Sequence, residues 1–158
     1  MIKVPKMNIL DNISLAIKTK NVDWFIDLLR LGSNFIPINT SGTDNYGYSL
    51  LHYICMYDNS TDCIMLNTLI DCYGEEKVKS LIDKKDIYGY YPIHWSARKN
   101  TYNLISTLRK WNKNVENQQI NSYNALDLAK FGESEPWYNK EWVERYLEEC
   151  TLSSNNLV

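Results

Sequence analysis

Apolar residues recur at spacings of three and four along most of this chain, and polar residues fill the positions between them. In 101–111, Leu104, Ile105, Leu108 and Trp111 fall on one face of a helix. Residues 51–57 and 93–99 are shorter stretches with the same periodicity. Earlier in the chain, Leu15-Ala16, Trp24-Phe25 and Leu28-Leu29 mark two more helices, and Trp142-Val143 with Tyr146-Leu147 marks a last one. Turn chemistry separates these runs. Asp44 and Asp86 can accept hydrogen bonds from amides two residues on, and Gly47 and Gly89 can take the positive φ that such turns need. Pro92 suits the first turn of a helix, where its missing N–H costs nothing. Gly32 and Asn112 are expected to stop their helices in the left-handed cap conformation.

The pattern repeats. Asp44-Asn45-Tyr46-Gly47-Tyr48-Ser49-Leu50-Leu51-His52 aligns with Asp86-Ile87-Tyr88-Gly89-Tyr90-Tyr91-Pro92-Ile93-His94, matching Asp, Tyr, Gly, Tyr and His. Moving the second copy on by about 33 residues, one standard repeat length, sets Tyr90 on Tyr123 and Ile93 on Leu126. Residues 122–129 are then a weaker third copy, with Ser122 replacing the Gly and Asp127 replacing the His.

Asp86-x-x-Gly89-x-x-Pro92-Ile93-His94, followed by Ser96-Ala97, resembles the D-x-x-G-x-T-P-L-H-x-A-A signature of the ankyrin repeat. Leu104-Ile105 and Leu108 stand where the second helix of that repeat carries its buried residues. Asn112 holds the place of its helix-ending Gly, and Val115 that of its Val. The resemblance implies an all-α ankyrin-repeat solenoid of about four helix-turn-helix units, near residues 10–40, 44–85, 86–118 and 119–149. The end units are degenerate caps, as terminal repeats are. The second unit is longer than the standard by an insertion within 58–80, with breaks at 59–62 and 74–76. An insertion there could project as a loop and carry function, or be a neutral surface excursion. Residues 151–158 are expected to form a flexible tail.

Composition narrows the function classes. The 158 residues include 44% hydrophobic and 23% charged residues, enough for a real core and unlike a disordered chain. With 17 basic and 19 acidic residues the net charge is −2, which gives no electrostatic footprint for nucleic acid. Clusters such as Lys77, Lys79, Lys84 and Lys85 are interrupted by acidic residues and read as solvated surface. No run approaches the roughly 20 apolar residues of a membrane span, and the N-terminus lacks the apolar core of a secretory signal. Cys55, Cys63, Cys72 and Cys150 form no CxxC pair, so no metal site is expected, and scattered cysteines suit a reducing cytoplasm. There is no glycine-rich phosphate loop and no local nucleophile–base signature. No cofactor, small-molecule substrate or catalytic residue is expected. A hydrolase using His94 with Cys55 or Cys63 is a remote competitor. The resemblance implies instead that His52 and His94 are structural, hydrogen-bonding neighbouring turns.

In ankyrin-like proteins partners bind the turn tips and the first helix of each unit. Carried over by phase, those positions are Asn45, Tyr46, Tyr48, Ile87, Tyr88, Tyr90, Asn121 and Tyr123 at the tips, and Lys18, Thr19, Met56, Tyr57, Arg98, Lys99 and Phe131 on the helices. Of these, Tyr46, Tyr48, Met56, Tyr57, Tyr88, Tyr90, Arg98, Lys99 and Tyr123 are the candidate binding residues. Tyrosine suits interfaces, because it offers apolar area and a hydroxyl at little entropic cost. The same rings could instead pack on adjacent turns and only shield the stack. The Asn- and Tyr-rich composition and irregular units are similar to short ankyrin proteins of large DNA viruses, poxvirus-like or bracovirus-like, or of intracellular bacteria. That likeness implies an inhibitor or adaptor acting on host signalling or immunity, in the host cytoplasm or nucleus. A cellular assembly chaperone or scaffold is the alternative.

Overall fold

A computed structural model describes residues 9–38, 46–58, 62–99, 101–111, 124–131 and 143–150. Eight helices have defined bounds. They are α1 (Ile9–Lys18), α2 (Val22–Gly32), α3 (Leu50–Tyr57), α4 (Ile64–Tyr73), α5 (Glu75–Lys79), α6 (Pro92–Lys99), α7 (Tyr102–Trp111) and α8 (Ala125–Phe131). Residues 143–150 are helical as well, and no strand occurs among the described residues. The protein is all-α.

The periodic apolar faces explain the packing. In α1 Leu10, Ile13, Ala16 and Ile17 are buried, and in α7 the predicted Leu104, Ile105 and Leu108 are. Each helix is too short to be stable alone in water, so its apolar stripe must find partners. It does so in two directions. α1 packs on α2, and α6 on α7, as local helix pairs. Across the chain, α1 packs on α3, α3 on α6 and α6 on α8, while α2 packs on α4. The first helices therefore lie in a row, and one continuous core runs through them.

The helix starts repeat one device. Ser49 accepts a hydrogen bond from the His52 N–H at 3.2 Å, and His52 Nδ1 accepts from the Ser49 N–H at 3.1 Å. At α6, His94 Nδ1 accepts from the Tyr91 N–H at 3.0 Å. At α8, Asp127 Oδ2 accepts from the Asn124 N–H at 3.0 Å, and Asn124 Oδ1 returns the bond to the Asp127 N–H at 3.0 Å. Asp127, which stands in phase with the histidines, thus performs their capping role with a carboxylate.

Three expectations need correction. Gly32 is not a left-handed cap: it ends α2, and Ser33 after it has φ −61°. A Cβ at Gly32 would meet Ile9 Cγ2 at 3.2 Å and Ile13 Cδ1 at 3.4 Å, so the close approach of α1 favours glycine here. The left-handed residue in this unit is Lys20 (φ 56°), which ends α1 with Asn21 N–H donating to the Ala16 carbonyl at 2.9 Å. The 74–79 part of the insertion is no projecting loop. It forms α5, packed on α4, with Val78 buried and with Trp111 Nε1 donating to Glu75 Oε1 at 2.9 Å. Third, Met56, assigned to the binding surface, is buried at 8% exposure among the core residues. Its helix packs between α1 and α6. Asn112 and the 151–158 tail lie outside the described residues.

Candidate functional site

The turn between α5 and α6 is built around Asp86. Its Oδ1 accepts from the Tyr88 and Tyr90 N–H groups, both at 2.9 Å, as the turn chemistry predicts. Its Oδ2 accepts from Trp95 Nε1 at 2.9 Å, which ties the turn to the first turn of α6. The carboxylate is only 6% exposed, and three donors satisfy it. Gly89 has φ 85° and Gly47 φ 71°, the conformation expected of both.

Two turns then lie against each other. The Ile87 N–H donates to the Tyr46 carbonyl at 2.8 Å, and His52 Nε2 donates to the Tyr90 carbonyl at 2.9 Å. Because Nδ1 is already taken by Ser49, the ring proton of His52 must sit on Nε2. Burial pushes the His52 pKa below its ordinary value, against the opposing pull of the Tyr90 carbonyl. The histidine is a neutral structural bridge between neighbouring turns.

This docking of turns assembles an aromatic ridge. Tyr46 stacks on Tyr88 with ring centroids 6.0 Å apart and leans on Tyr48 at 5.5 Å. Tyr48 meets Tyr53 edge-on at 5.3 Å and Trp95 edge-on at 6.0 Å. Tyr90 lies against Trp95 at 5.0 Å. Arg98 places its guanidinium 5.2 Å from the Trp95 ring and 5.9 Å from that of Tyr90, and Lys18 reaches 5.2 Å from Tyr53 at the other flank. Such aromatic pairs contribute about 0.5–1.5 kcal/mol each beyond area burial, so the rings of the ridge hold one another in place. Its outer rings remain wet: Tyr46 is 44% exposed and Tyr88 55%.

Comparison with known proteins leaves the assignment to this geometry. No family model matches the chain, and no curated protein matches it.

Of the residues singled out from sequence, Tyr46, Tyr48, Tyr88, Tyr90 and Arg98 come together in the ridge. Lys99 is exposed beside Arg98 at the end of α6. Tyr57 is half-buried against the core, Met56 is excluded by its burial, and Tyr123 lies outside the described residues. Sequence reasoning missed Trp95 and Tyr53. Trp95 had a legible signal, since Arg98 stands three residues on, one helical turn away.

The other chemistry-bearing groups are buried or dispersed. Burial raises the Cys55 thiol to about 12 and the Cys63 thiol to about 11, the reverse of what activates a nucleophile. No cluster of His, Cys, Asp and Glu able to hold a metal ion occurs among the described residues, and none of their helices is long and apolar enough to cross a membrane. A shallow depression of about 310 Å³ lies beside Tyr102, Arg145, Tyr146 and Glu149.

Proposed function

We propose that the chain is a short ankyrin-like stack that binds another protein through the turn tips and the adjoining first-helix face, without catalysis. The observation that carries this reading is the preassembled, half-wet ridge formed by Tyr46, Tyr48, Tyr88, Tyr90 and Trp95. Rigid aromatic side chains at a solvent-facing edge contribute binding area without the entropic cost of ordering flexible ones. The row of first helices and the histidine bridge between turns support the ankyrin-like part of the proposal. A role as inhibitor or adaptor, of host signalling in particular, rests on composition alone and extends the same reading.

The test is affinity purification with mass spectrometry, comparing the native chain with a Tyr46→Ala, Tyr88→Ala variant. These two exposed rings can be removed without opening the core. The expected result is a set of proteins retained by the native chain and lost by the variant, which still melts cooperatively with a melting temperature lower by about 2–10 °C from the lost ring pairs. Identical retention by both chains contradicts the proposal.

A further inference from the structure

The ridge carries a charge pattern as well as apolar rings. Lys18 sits against Tyr53 on one flank, and Arg98 sits against Trp95 and Tyr90 on the other, with Tyr48 touching both Tyr53 and Trp95 between them. Lys99 adds a third cation beside Arg98. Among the described residues none of these three meets a carboxylate; an ion pair that does form, Lys79 with Glu76, lies elsewhere. Asp86, which lies in the turn that carries Tyr88 and Tyr90, is buried and its carboxylate accepts from Tyr88, Tyr90 and Trp95. A chain of net charge −2 thus gathers cations on both sides of an aromatic strip, with no carboxylate paired to them among the described residues.

Resting on the docking surface proposed above, we infer that its partner is an acidic protein segment. An apolar residue of that segment lies on the Tyr46–Tyr48–Tyr88 rings, and carboxylates on either side of it pair with Lys18 and with Arg98 and Lys99. A guanidinium held against two rings is partly desolvated and oriented, so a carboxylate that reaches it forms a stronger hydrogen-bonded pair than one meeting a mobile side chain. Single-stranded nucleic acid also uses rings and cations. It is disfavoured here because Tyr48, Tyr90 and Trp95 meet one another edge-on or tilted and leave few open faces for bases.

The experiment selects a random peptide library displayed on phage against the full chain and measures the enriched peptides as synthetic ligands. The expected peptides carry Asp or Glu on both sides of an apolar residue. Their binding weakens roughly tenfold or more in a Lys18→Glu, Arg98→Glu variant, in Tyr46→Ala, Tyr88→Ala, and on raising salt from about 0.05 to 0.3 M. Circular dichroism melting checks each variant, and Lys18→Gln, Arg98→Gln replaces the charge reversal if that chain does not fold. Peptides that need the tyrosines but carry neutral or basic flanks, or ignore the charge reversal, overturn the acidic partner and leave the docking surface standing. Peptides indifferent to Tyr46 and Tyr88, or no enrichment at all, overturn both. Tight binding of an oligothymidylate that competes at the ridge in place of peptide also overturns the inference.

Discussion

His52 Nε2 donates its proton to the Tyr90 carbonyl oxygen at 2.9 Å, joining the turn before α3 to the turn before α6. The bond spans 38 residues of sequence and is shielded from water on the histidine side. Replacing His52 by Ala strands the Ser49 N–H, leaves the Tyr90 carbonyl with the Asp86 N–H as its remaining donor, and opens a cavity as well. A loss of about 2–4 kcal/mol is expected in urea denaturation. His52→Gln, which can keep one of the two bonds, should lose less. Equal losses for the two variants would show that the bridge contributes nothing.

The same histidine sets a pH dependence. Burial holds its folded pKa below the unfolded value of about 6.5, so the unfolded chain binds the proton first. The stability it contributes is complete above that unfolded pKa and declines as pH falls toward the folded one. Melting temperature followed from pH 7.5 down to pH 5 should therefore drop more steeply for the native chain than for His52→Gln.

Asp86 holds its turn through three hydrogen bonds, and their removal should be felt at the ridge. Asp86→Ala leaves the Tyr88 and Tyr90 amides and the Trp95 indole unpaired, a loss of about 2–4 kcal/mol. Trp95→Phe keeps an aromatic ring but loses the indole N–H and part of the ring system, so a smaller loss of about 1–2 kcal/mol is expected. Tryptophan fluorescence reports the change directly, because the indole loses its carboxylate acceptor in Asp86→Ala.

Two glycines separate backbone strain from close approach. Gly74 has φ 90° with nothing within 4 Å of a built Cβ, and Gly47 has φ 71° with the Ile87 backbone N at 3.3 Å. Gly74→Ala should cost about 1–3 kcal/mol from backbone strain alone, because φ 90° with ψ 150° is a conformation that glycine alone adopts readily. Gly47→Ala should cost distinctly more, because the atom it presses on is backbone that donates to the Tyr46 carbonyl. Chemical denaturation of both variants provides the comparison.

Thiol reactivity should follow burial. Cys55 is enclosed and its thiol raised to about 12, Cys63 is buried and raised to about 11, while Cys72 is half-exposed. Brief alkylation of the folded chain at pH 8, followed by peptide mass spectrometry, should modify Cys72 well before Cys55 or Cys63. Modification of Cys55 at the rate of Cys72 would contradict the packing of α3.

What the sequence determined by itself is what contacts within a few residues decide. Asp86 starting its turn, the positive φ of Gly47 and Gly89, Pro92 opening α6 and the buried stripe of Leu104, Ile105 and Leu108 all follow from local geometry. The in-phase motif also marked the tyrosines that share the ridge. Only the tertiary structure decided that Gly32 accommodates Ile9, that Val78 fills the core, that Met56 is covered and that Trp95 and Tyr53 belong to the strip. Those outcomes depend on which surface a neighbouring helix presents. A side chain's periodicity shows that it will be buried, but the partner that buries it is chosen by packing between segments far apart in the chain.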